Sequence, residues 1–281
     1  MRHLALLAAC LTFVVVVVGA YVRLSDAGLG CPDWPLCYGQ PLPADIADSD
    51  ALAKAWKEMG HRYLAAALGF LIFLLALVAW RKRQSPWLAT AIAALVVIQA
   101  TLGKWTVTML LKPAIVTAHL LGGMAIFALL VWMALSQYKY KTGDSRAILV
   151  PAALALGVLV IQIALGGWVS ANYAGLACPD LPLCRGRWLP VDALTAIHWS
   201  HRVFAVAVLV VVGWAAIRAM QIFPRLGIAI ALLLLLQLAL GAANVAFGLP
   251  LPLAAAHNAG AALLLASLVV LNFFAFRGLR P

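Results

Sequence analysis

Four of the six histidines in this 281-residue chain form two pairs with closely matched spacing. His61 and His201 lie 140 residues apart, and His119 and His257 lie 138 apart. Imidazole binds metals in its neutral form, so it can act as a ligand in an apolar setting without carrying charge there. Two imidazoles opposed across a helical bundle are a natural pair of axial ligands for heme iron. A lone histidine near a helix end is more often an interfacial residue with one edge in water, and His3, beside the N-terminus, is assigned no role. Two matched pairs, in a chain with only 10% charged residues, favour two bis-histidine heme sites instead. Zinc is the weaker alternative. It wants a third or fourth protein ligand, which His198, His201 and His257 could supply in one half only.

The two halves differ one helical turn before the first histidine of each pair. The first reads Glu58-Met59-Gly60-His61, the second His198-Trp199-Ser200-His201. The i, i+3 spacing puts Glu58 on the helix face of His61. A carboxylate beside a heme edge could move protons or stabilise positive charge in a reacting group. The plainer alternative is an acid that complements a helix N-terminus. Since the matching position is not acidic, the pattern points to a reactive site in the first half and an electron-handling site in the second. Arg62 and Arg202 follow the histidines and could pair with heme propionates. Ordinary snorkelling to the interface explains them equally well. Gly60, Gly122, Gly123 and Gly260 would let a flat macrocycle approach the backbone, which is weak support because glycine is common in membrane helices.

Two cysteine pairs complete the set: Cys31 and Cys37 bracket Pro-Asp-Trp-Pro-Leu, and Cys178 and Cys184 bracket Pro-Asp-Leu-Pro-Leu. Intraloop disulfides are the default reading for an oxidising compartment, with a redox-active dithiol or a metal site as disfavoured alternatives. Cys10, inside an apolar run, reads as packing.

Apolar helices must position these groups. With 65% hydrophobic residues, a soluble domain is excluded. The apolar blocks predict eight membrane spans, at about 4–23, 60–80, 87–106, 113–135, 147–169, 198–218, 224–246 and 253–276. The first is too long for a signal-peptide core and lacks a cleavage site, so it reads as a retained helix. Loops on the N-terminal side carry 11 basic residues and one acid, Asp144, against 9 basic and 8 acidic on the other. Both termini are therefore expected in the cytoplasm, with the cysteine loops and histidines toward the outer face. The net charge of +11 follows from this topology and needs no nucleic-acid partner.

The chain also repeats itself. AGLGCPDWPLC recurs as AGLACPDLPLC 147 residues later, and Gln99, Gly103 and His119 match Gln237, Gly241 and His257 at an offset of 138. The expected fold is an all-α polytopic membrane protein whose eight transmembrane helices form two pseudo-twofold-related four-helix bundles, 1–138 and 139–281. The join is expected in the basic loop near 136–146.

The CPDWPLC loop, Glu58-x-x-His61-Arg62, the four histidines and the duplicated four-helix unit closely resemble the heme A synthase family, over essentially the whole chain. The resemblance implies oxidation of the C8 methyl group of heme O, by successive hydroxylations, to the formyl group of heme A for heme-copper terminal oxidases. It implies that His61 and His119 hold heme O, and that His201 and His257 ligate a heme b cofactor. It makes Glu58 the catalytic carboxylate, and Cys31–Cys37 and Cys178–Cys184 disulfides. A farnesyltransferase that makes heme O is the implied partner, with an electron acceptor such as a quinone. With no transit peptide, the expected location is a prokaryotic plasma membrane.

If both His61 and His119 bind the substrate iron, no axial position is open to oxygen. A P450-like oxidation would need one histidine to leave. The preferred route instead withdraws electrons through the macrocycle, with Glu58 taking the proton and water supplying oxygen. The rivals are a diheme b-type electron-transfer cytochrome, in which Glu58 is only structural, and a non-catalytic heme carrier.

Overall fold

A computed structural model describes residues 1–44, 46–138 and 146–277. The expected join at 136–146, with Lys139, Lys141 and Asp144, lies largely outside the described residues, as does Arg280.

Eight long helices run in order: α1 (Arg2–Leu24), α2 (Ser49–Lys82), α3 (Pro86–Thr108), α4 (Pro113–Ser136), α5 (Leu149–Ala171), α6 (Ala193–Met220), α7 (Pro224–Ala246) and α8 (Leu251–Arg277), with a short 3-10 turn at Arg146–Ile148. A 23-residue helix such as α1 is about 35 Å long, enough to cross a hydrocarbon core of roughly 30 Å. All eight are long and apolar enough to span. The protein is a multi-pass membrane protein.

Prolines at the first positions of α3, α4 and α7 start those helices where a missing N–H does no harm. α2 and α6 start differently. Asp48 accepts hydrogen bonds from the Asp50 and Ala51 amides, and Asp192 forms a capping box with Thr195. These caps begin α2 eleven residues before the expected span at 60, and α6 five residues before 198. His61 is therefore not at a helix start; it lies inside α2 with three turns of helix ahead of it.

The chain divides into two compact units, Met1–Gln137 and Tyr138–Pro281. In the first, each of α1 to α4 packs on the next and α4 closes on α1; in the second, α5 to α8 close in the same way. Small residues line these seams: Ala5 and Ala8 on α1, Ala152 and Ala155 on α5, Ala215 and Ala219 on α6. Large apolar side chains point outward, as Phe70 (74% exposed) and Trp87 (75%) do, which suits a lipid surroundings and would be unstable in water. Cys10 is exposed on α1, on the side away from its buried Ala8, Ala9 and Thr12 face, so it is not a packing residue as the sequence suggested.

Candidate heme sites

In each unit the two histidines stand on alternate helices, and a glycine of the preceding helix backs each ring. A Cβ placed on Gly19 of α1 would lie 2.8 Å from His61 Cε1, and one on Gly103 of α3 would lie 3.1 Å from His119 Cε1. In the second unit, Gly166 of α5 stands 3.1 Å from His201 and Gly241 of α7 stands 3.4 Å from His257 by the same measure. His61 of α2 and His119 of α4 belong to one four-helix unit, and His201 of α6 and His257 of α8 to the other. The four side chains are only partly buried, yet the Nδ1 atoms of His61, His119 and His201 are closed off from solvent with no protein partner. Paired imidazoles seated against glycines of the neighbouring helices, with a ring nitrogen left without a protein partner, fit a bis-histidine heme site.

Three glutamines add a second layer. Gln99 Nε2 donates to the His119 carbonyl at 2.7 Å, and Gln162 Nε2 donates to the His201 carbonyl at 3.1 Å. Gln237, with its amide oriented to satisfy both ends, donates to the His257 carbonyl at 3.0 Å and accepts from the Ala261 amide at 3.2 Å. Each glutamine stands four residues before the glycine that backs its histidine. The pairs 99/103 and 237/241 stand out in the repeat, whereas 162/166 does not, although it shares their Gln-x-x-x-Gly spacing.

Glu58 and His198 occupy equivalent positions and take the same partners. Glu58 is buried; its Oε2 accepts from the Cys31 amide at 2.8 Å and its Oε1 pairs with Arg62 at 2.5 Å. Arg62 also donates to the carbonyls of Asp33 (2.9 Å) and Leu36 (2.7 Å). His198 Nε2 accepts from Arg202 Nε at 3.1 Å, and Arg202 donates to the carbonyls of Cys178, Asp180 and Leu183. The Cys178 amide stands 3.4 Å from His198 Nδ1. A neutral imidazole has one lone pair, which Arg202 takes, so this longer contact adds little. The guanidinium groups of both arginines are thus held on loop carbonyls, and propionate pairing would require these contacts to rearrange.

The loops so held are built alike. Cys31–Cys37 and Cys178–Cys184 are disulfide-bonded. Asp33 accepts from the Tyr38 and Gly39 amides, and Asp180 from the Arg185 and Gly186 amides. Those amide bonds, with Gly186 the strongest, hold the Asp180 carboxyl below the ordinary range. The disulfide of the first loop packs on Ala55 and Met59 of the α2 extension. Gly30 allows that contact, since a Cβ there would lie 2.6 Å from the Lys54 backbone.

The model for the COX15-CtaA family, cytochrome oxidase assembly protein, matches residues 2–269. A heme A synthase of Shewanella oneidensis is 38% identical, over 94% of this chain and 93% of that protein. Similar proteins of the same name occur in Caulobacter vibrioides (30% identical, over 97% of this chain and 94% of that protein) and Halalkalibacterium halodurans (28%, over 74% and 72%). The chain belongs to the heme A synthase family. Among the described residues no group of three or more His, Cys, Asp or Glu side chains could hold a metal ion, and His198 is engaged by Arg202.

Proposed function

We propose that this protein is a heme A synthase that oxidises the C8 methyl group of heme O to a formyl group. The observation that carries the reading is the presence of two glycine-backed histidine pairs in one duplicated frame, distinguished by Glu58 in the first and His198 in the second. In this reading His61 and His119 hold heme O, and His201 and His257 hold heme b. Heme b, when bound, supplies a one-electron relay between the substrate and an external acceptor such as a quinone.

The protein's own groups bind, orient and move protons. The glycine backs let each ring sit close against the preceding helix. Arg62 and Arg202 hold the disulfide loops on the helices that carry His61 and His201. Glu58 receives protons from the reacting methyl group. With water as the oxygen source, conversion of methyl to formyl releases four protons and four electrons, so both a proton exit and an acceptor are required. Oxygen taken from O₂ would instead require one of the two histidines to let go of the substrate. We place the protein in a prokaryotic plasma membrane, termini cytoplasmic and histidine ends outward, supplied with heme O by a farnesyltransferase.

Pigment extraction tests the assignment. Purified protein should yield heme B together with heme O, an oxidised intermediate or heme A. Two heme B per chain in every preparation would identify a diheme cytochrome instead. Glu58→Gln should retain both hemes and accumulate heme O; unchanged heme A output removes Glu58 from the chemistry.

A further inference from the structure

Three of the four histidines have their backbone carbonyl held by a half-buried glutamine of the preceding helix: His119 by Gln99, His201 by Gln162 and His257 by Gln237. The Gln162 side chain also lies 3.5 Å from the His201 ring nitrogen Nε2, too far for a strong hydrogen bond, so its hold on His201 is through the backbone carbonyl. At the offset of 147 that superposes Gly19 on Gly166, the residue matching Gln162 is Val15. Val15 is buried in α1, and it has no group that could donate to His61. His61 therefore keeps its glycine back but lacks the hydrogen-bonded clamp.

We infer that Val15 is a positioning residue that makes His61 the releasable ligand of the first heme, the one that lets go when heme is loaded or discharged. This deepens the proposed function and rests on it: a substrate heme must enter and leave, whereas a cofactor heme must stay. A clamp on His201 and His257 suits retention. A clamp on His119 alone in the first unit leaves one end of the substrate hinged and the other fixed. The chemistry of release is ligand dissociation: the His61 nitrogen-to-iron bond would break with its electron pair staying on the imidazole, the acceptor's own ligand would take the vacated place, and neither iron nor protein would be oxidised or reduced.

The test uses the purified holoprotein in detergent, with two measurements. One is heme transfer to excess apomyoglobin, read as two kinetic phases; the other is carbon monoxide binding to the reduced protein, which reports a vacated axial position. Val15→Gln should slow the faster transfer phase roughly three- to tenfold, the effect of one net hydrogen bond, and reduce carbon monoxide binding in parallel. Gln162→Val should accelerate the slower phase by a similar factor and open a second heme to carbon monoxide. Unchanged rates in both variants, each with full heme content, overturn the inference. A His61→Ala variant that keeps both hemes with unaltered spectra shows that His61 is no ligand, and overturns the site assignment along with it. Should Val15→Gln fail to fold, the Gln162→Val result decides alone, since a clamp without effect on His201 has none to confer on His61.

Discussion

The glycine backs form a graded series that can be perturbed one methyl group at a time. Alanine in a helix interior is favoured over glycine by about 1 kcal/mol, and forcing an extra methyl into a packed site costs about 1–3 kcal/mol. At Gly241 the new Cβ would sit 3.4 Å from His257, an ordinary contact, so Gly241→Ala should be neutral or stabilising by up to about 1 kcal/mol. At Gly103 and Gly166 the distance is 3.1 Å, the ring must give by a few tenths of an ångström, and the two effects should nearly cancel. At Gly19 the distance is 2.8 Å, the ring must move, and Gly19→Ala should be destabilising by about 1–2 kcal/mol. Gly157 has nothing within 4 Å and serves as the control that isolates helix propensity. Thermal unfolding in detergent should follow the order Gly157, Gly241, Gly166 and Gly103, Gly19, with about 2–4 °C for each kcal/mol. The low-spin heme spectrum should weaken most for Gly19→Ala. If Gly19→Ala melts and binds heme as Gly241→Ala does, the rings are not seated on these glycines and the reasoning fails.

Arg62→Ala strands buried Glu58, and breaking such a pair costs about 3–5 kcal/mol, whereas Arg202→Ala leaves a neutral imidazole and loses only hydrogen bonds, about 1–3 kcal/mol. Melting temperatures of the two variants should differ in that order. Replacing Cys31 and Cys37 together by serine removes a crosslink over a separation of 6, worth about 2 kcal/mol by chain entropy, and hydrogen exchange in the loop should rise accordingly. The turn amides keep the Asp180 carboxyl below its ordinary range, so its contribution is complete above an ordinary carboxylate pKa of about 4 and is lost as pH falls through the lower folded value. Amide exchange at Gly186, corrected for its intrinsic pH dependence, should be flat from about pH 5 to 8 and rise only in stronger acid, an acid limb that Asp180→Asn removes.

Much of this architecture was legible in the sequence because bilayer thickness and hydropathy leave few options for a run of twenty apolar residues. The paired histidines were legible because the duplication prints each twice. What escaped has identifiable causes. Hydropathy marks the part of a helix that crosses hydrocarbon, so it cut α2 at residue 60 and missed the capped, polar extension from Ser49 that carries Glu58. Gln162 escaped because it is the sole polar residue in a long apolar stretch, and its purpose emerges only when α5 lies against α6. Glu58 and His198 looked like a contrast between an acid and a metal ligand. In three dimensions both receive the arginine that holds the disulfide loop.

That shared task sharpens the difference between the sites. A carboxylate has lone pairs enough to take the Cys31 amide and Arg62 together, and it cancels the arginine's charge. His198, accepting from Arg202, must be neutral at that nitrogen, so the second hub keeps the charge of its arginine. The first histidine pair therefore stands near a neutral hub and the second near a hub more positive by one charge. Positive charge opposes the ferric state, so the second heme should have the higher reduction potential, and electrons leaving the first site run downhill to it. Removing the acid charge with Glu58→Gln should raise the potential of the first heme and leave the second unchanged; His198→Glu should lower only the second. A redox titration resolving the two hemes decides the point, and a first heme that titrates above the second would separate the charge pattern from the direction of electron flow.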